Sequence, residues 1–86
     1  MTFIKGDFII SDKSGYPGII IERGEDGNLL VSIVEYKGDY IWLAVVDVKK
    51  VELKTEEKLS ILAKFGDWFY EMHREFYQEL IIDALI

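Results

Sequence analysis

Five carboxylates, Asp67, Glu71, Glu75, Glu79 and Asp83, recur at intervals of four near the C-terminal end of the chain. On a helix this spacing lays them in a ridge that winds slowly round the axis, because 3.6 residues per turn does not divide four. Like charges so placed repel by about 0.2 to 0.5 kcal/mol per pair. Two readings account for the pattern. One is a solvated face opposite an apolar stripe, partly compensated by Lys64 and Arg74. The other is a docking surface for a protein partner with a basic surface, such as the nucleic-acid channel of an enzyme, where carboxylates would stand in for phosphates.

Catalytic chemistry is harder to assemble. His73 is the only histidine, and its helical neighbours three and four residues away are Phe69, Tyr70, Phe76 and Tyr77, none of them a carboxylate. A Glu-x-x-His metal site is therefore not encoded, and no second histidine could complete a mononuclear centre. The chain has no cysteine, which removes thiolate nucleophiles, zinc–thiolate sites and disulfides together. Ser11, Ser14, Ser32 and Ser60 lie in no nucleophile-elbow context, and no phosphate-cradling glycine pattern precedes a helix. The expectation is a non-enzymatic protein without metal or cofactor.

Composition narrows the class further. With 86 residues there is room for one small domain, and 50% apolar residues argue against disorder. Ten basic against sixteen acidic residues give a formal charge of −6, so direct binding to DNA or RNA is disfavoured. No apolar run approaches the roughly 20 residues that span a bilayer, and the N-terminus lacks the layout of a signal peptide. A cytoplasmic protein with no membrane association is expected. Short length, acidity and the lack of cysteine suit an accessory or inhibitor protein of a bacterium or phage, and abundant isoleucine with a preference for lysine over arginine suits an A+T-rich genome.

Two segments must position these residues. Residues 1–53 alternate β-branched and aromatic residues with turn residues, which predicts five strands: Asp7–Ser11, Ile19–Glu22, Leu29–Tyr36, Tyr40–Val46 and Val48–Leu53. Gly18 is expected to supply a positive φ after Pro17, and Glu25 to Asn28 a tight hairpin. Alternation points Val31, Ile33, Ile41, Leu43 and Val45 inward and Leu30, Ser32, Val34, Tyr40, Trp42 and Ala44 outward. Lys49 and Lys50, with Lys54, read as a charged edge strand that blocks unwanted pairing. The outward face, with Trp42, is apolar enough to need a cover.

Residues 54–86 are helical. Thr55 is the expected N-cap, followed by Glu56 and Glu57 at the positive end of the helix dipole. Leu62, Phe65, Phe69, Met72, Phe76 and Leu80 step by three or four along one seam. A continuous helix would be about 45 Å long, so a break at Gly66, with Asp67 capping a second helix, is favoured; both segments then pack on the sheet as one structural domain. Leu80 to Ile86 is apolar on nearly every side apart from Asp83. This predicts a homodimer through Ile81, Ile82, Leu85 and Ile86.

Lys5-Gly6-Asp7, the Gly-flanked second strand from Gly18 to Glu22, and Trp42 leading to Val46-Asp47-Val48 resemble an SH3-like small β-barrel over about 50 residues. The likeness is to a superfold that includes Tudor-like and KOW-like modules. It implies an α+β protein in which a five-stranded antiparallel barrel precedes a helix or helix pair, and binding more often than catalysis. A Tudor-like aromatic cage would draw on Tyr16, Tyr36, Tyr40 and Trp42; the alternative is that these rings pack on turns or under the helices. The Ala-Leu-Tyr-Asp-Tyr signature of polyproline-binding SH3 domains is missing, and the acidic Glu25–Asn28 loop does not suit a KOW-like nucleic-acid role. The functional expectation is an acidic protein-interaction module, with a nucleic-acid-associated accessory factor inside a larger complex as the alternative.

Overall fold

The computed structural model describes residues 3–34 and 40–86. Five antiparallel strands in a curled, half-barrel sheet and two C-terminal helices make an α+β fold. The chain divides into two compact units, Met1–Glu52 and Leu53–Ile86.

The first unit is the sheet. Its strands are β1 (Phe8–Ser11), β2 (Pro17–Arg23), β3 (Leu29–Ile33), β4 (Ile41–Leu43) and β5 (Val48–Lys50), in the spatial order β4-β3-β2-β1-β5. Alternation decides what is buried. Ile9, Ile20, Leu29, Val31, Ile33, Leu43 and Val48 form one core cluster, with Phe3 and Ile41 packed against it. Each fully buried aliphatic side chain contributes roughly 1.5 to 3 kcal/mol, so this cluster dominates the unit's stability. On the opposite face Phe8, Ile19 and Ser32 are also buried, and they are neighbours in register: Phe8 lies opposite Ile19, and Ile19 opposite Ser32.

The turns depart from expectation in instructive ways. Between β1 and β2 the positive φ belongs to Gly15 (75°), whose N–H donates to the Ser11 carbonyl at 2.7 Å. Gly18 lies inside β2 instead, where a Cβ would sit 2.6 Å from Ile33 Cδ1 and 2.9 Å from the Ser32 carbonyl oxygen. It is there for close strand packing, not for its φ. Val45 and Val46 are not strand residues: a 3-10 turn spans Val45–Asp47, and Val46 is 80% exposed. Three residues that turn the chain from β4 into β5 cannot keep strand alternation, so Val45 does not point inward. The Lys37–Asp39 turn and the end of the expected third strand, Glu35 and Tyr36, lie outside the described residues.

β5 is an edge strand and carries its lysines as expected. Lys50 Nζ lies 3.4 Å from Asp7 Oδ2 and Lys49 Nζ 3.8 Å from Asp12 Oδ1. The Lys49–Asp12 pair is exposed and adds little stability, the Lys50–Asp7 pair is partly buried, and a charged edge discourages pairing with another chain.

The second unit is the helical one, α1 (Thr55–Met72) and α2 (Arg74–Leu85). Lys54, not Thr55, is the N-cap, and its N–H donates to Glu57 Oε1 at 3.2 Å. Thr55 is already helical, and its hydroxyl donates instead to the Ala84 carbonyl at 2.6 Å. The first turn of α1 is thereby tied to the last turn of α2. Such a return requires bends, and there are two. Gly66 (φ 76°, ψ −172°) interrupts α1 in a region of backbone space that is essentially glycine-only. His73 (φ −134°, ψ 48°) separates α1 from α2, a second break that no glycine or proline announces.

Between the breaks the aromatic seam closes on Phe69. Its ring centroid lies 4.9 Å from Phe65, 5.1 Å from His73, 6.1 Å from Tyr77 and 6.3 Å from Phe76, all in the tilted arrangements aromatic pairs favour. Leu62, Phe65, Phe69, Phe76, Leu80 and Ala84 are buried. Met72, expected on the same seam, is 67% exposed, because it is the last residue of α1 and the break at His73 follows it directly.

Candidate protein-binding surfaces

All five ridge carboxylates, Asp67, Glu71, Glu75, Glu79 and Asp83, are exposed. They do not lie on one unbroken helix. Asp67 and Glu71 follow the Gly66 bend on α1, while Glu75, Glu79 and Asp83 lie beyond His73 on α2. The regular interval of four is thus shared between two helical segments. Arg74, expected to offset the ridge, has its guanidinium carbon 5.5 Å from the Tyr70 ring centroid, and Tyr70 in turn meets Tyr77 edge-on at 5.4 Å. A guanidinium held over a ring stays charged while it is drawn toward the aromatic face.

The far end of α2 separates into two sides. Phe76, Leu80 and Ala84 are buried, whereas Ile82, Leu85 and Ile86 are exposed and Ile81 is half-buried. At about 100° per residue, Ile82 lies most nearly across the helix from the buried stripe, with Leu85 about 60° to one side and Ile86 about 40° to the other. The helix is therefore not apolar on every side equally; it has a buried face and an exposed one on which Ile82 and Ile86 alternate with Glu75 and Glu79.

On the sheet, Trp42 of β4 lies opposite Leu30 of β3 and is 54% exposed. It walls an open cleft of about 520 Å³ whose other residues are Gly24, Glu25, Asp26 and Asn28. Those four belong to the β2–β3 hairpin, where the Gly24 N–H donates to the Asn28 carbonyl at 2.8 Å and the Gly27 N–H to the Gly24 carbonyl at 3.1 Å. Only Gly27 has a positive φ (86°), which makes this a three-residue loop with a bulge, not a two-residue turn. Asp26 shapes it: Oδ1 accepts the Asn28 backbone N–H at 3.0 Å, and Oδ2 accepts the Asn28 side-chain amide at 3.2 Å.

Two of the other rings expected to join Trp42, Tyr16 and Tyr40, are not part of its cleft. Tyr16 is exposed in the turn before β2, and Tyr40, half-buried just before β4, has its phenol pushed up by burial. Among the described residues neither lines the cleft, and Tyr36 lies outside the described residues. Trp42's neighbours are carboxylates and an amide, a site that the sequence reading missed.

His73 is half-buried with its ring 5.1 Å from Phe69 and 6.3 Å from Phe76, so it behaves as a member of the aromatic cluster. Among the described residues no group of three histidines or carboxylates is placed to hold a metal ion, and no helix is long and apolar enough to cross a membrane. No protein-family model, no curated protein and no solved structure matches the chain.

Proposed function

We propose that the protein is a non-enzymatic interaction module that binds a protein partner through a basic surface on that partner. The observation that carries this reading is the exposure of five carboxylates at a constant interval on two helical segments. Among the described residues the ion pairs lie on the sheet, at Asp7 and Asp12, and none involves these five. Helical like-charge repulsion works against the pattern, and a basic partner would reverse that cost on binding. The strand order β4-β3-β2-β1-β5, with a 3-10 turn leading into β5, supports an SH3-like barrel as the other half of the module. Superfolds of this kind more often bind than catalyse.

In this reading the protein is a cytoplasmic accessory or inhibitor protein, and a second copy covers Ile81, Ile82, Leu85 and Ile86. The function is tested by titrating the whole chain with a lysine-rich peptide, an aspartate-rich peptide and a short DNA duplex at low salt. Binding of the lysine-rich peptide alone supports it. Binding of the duplex alone replaces it with a nucleic-acid-associated role.

A further inference from the structure

We propose that the cleft beside Trp42 receives an arginine side chain of the protein partner; this deepens the reading of a basic partner and rests on it. More than half of Trp42 is exposed, yet the ring is not loose: a Cβ added at Gly24 would lie 3.0 Å from Trp42 Cζ3, so the ring rests against bare backbone. An aromatic face is thus presented to solvent by a strand and steadied by a hairpin.

The rest of the lining includes two carboxylates, Glu25 and Asp26. Asp26 is held by its two bonds from Asn28, and Glu25, exposed at the first position of the loop, has a longer stem that can adjust to a ligand. A π-face with two carboxylates at its rim attracts a cation and repels an anion. The cation's shape follows from the same lining. A guanidinium is flat, weakly hydrated and forked, so it can stack on the indole while donating to a carboxylate at its edge; an ammonium would satisfy the charge but not the plane. The cleft is open to solvent, so a side chain can enter it while its flanking peptide stays outside.

The test is an amide NMR titration of the whole chain with acetyl-Gly-Arg-Gly-amide and with its citrulline counterpart, which has nearly the same shape but no charge. The arginine peptide is expected to shift the Trp42 indole N–H and the Gly24 and Asn28 amides saturably, and the citrulline peptide to leave them in place. Glu25→Gln should weaken binding roughly threefold and Trp42→Leu roughly tenfold. Glu25 is an exposed loop residue, so its variant carries the test if Trp42→Leu fails to fold. Equal shifts with citrulline, or none at Trp42 with arginine, overturn the pocket, and equal affinity for acetyl-Gly-Lys-Gly-amide, titrated in the same way, overturns the assignment to arginine. Glu71→Lys with Glu75→Lys should leave this titration unchanged, so failure of the cleft and failure of the ridge are read separately.

Discussion

The Thr55 hydroxyl donates to the Ala84 carbonyl at 2.6 Å across 29 positions of sequence, joining the two ends of the helical unit. The last carbonyls of a helix lack intrahelical partners, and this bond satisfies one of them where Ala84 is buried. Thr55→Val keeps the shape and removes the donor. It should cost about 1 kcal/mol in a urea melt and speed hydrogen exchange at the end of α2; no change in either would mean that the bond is incidental.

Gly66 provides a test with opposite signs. In an unbroken helix, Gly66→Ala would stabilise by about 1 kcal/mol. At φ 76° and ψ −172° the same substitution meets no neighbouring atom within 4 Å, but it forces a Cβ into a strained backbone region at a cost on the order of 1 to 3 kcal/mol. The direction of the shift in a thermal melt decides between a bent and a straight α1.

Ser32 is fully buried, and its hydroxyl has no hydrogen-bond partner among the described residues. An unsatisfied buried hydroxyl costs about 1 to 3 kcal/mol. Ser32→Ala should therefore be neutral or stabilising by up to about 1 kcal/mol, unlike most substitutions at fully buried positions. A loss of more than about 1 kcal/mol in a urea melt would show that the hydroxyl has a partner after all.

If a second copy covers the exposed side of α2, Ile82→Asp should lower the mass seen by light scattering without lowering the melting temperature of the sheet. Asp83 already flanks this position, so the added charge also sets like charges side by side. A wild-type chain that is monomeric at high concentration removes the dimer.

What could be read from the sequence followed how local the determining interaction is. The strands around Ile9, Ile20 and Val31, the Asp26-Gly27 hairpin and the bend at Gly66 depend on alternation or on a residue with special backbone freedom, and all were legible. Val45 and Val46 were not, since two valines look like strand until the chain has to turn in three residues. The break at His73 has no glycine or proline to announce it and sits within the ring contacts around Phe69. Exposure of the five ridge carboxylates follows from the same periodicity that buries Leu62 and Phe65. The Trp42 cleft depends on the register that places Trp42 opposite Leu30, and thus beside the Gly24–Asn28 hairpin. That register is set across the β3–β4 connection, where spacing alone does not choose it.

The central claim is that a patterned acidic surface, not net charge, binds a basic partner. Calorimetric titration with a lysine-rich peptide at low and high salt tests it on three proteins: the wild type, Glu71→Lys with Glu75→Lys, and a control of equal charge, Glu22→Lys with Glu52→Lys. All four positions are exposed, so the fold should survive in each variant. The account predicts salt-sensitive binding by the wild type and the control, and its loss in the ridge variant. Equal weakening in both variants would reduce the effect to net charge, and undiminished binding by the ridge variant would contradict the account.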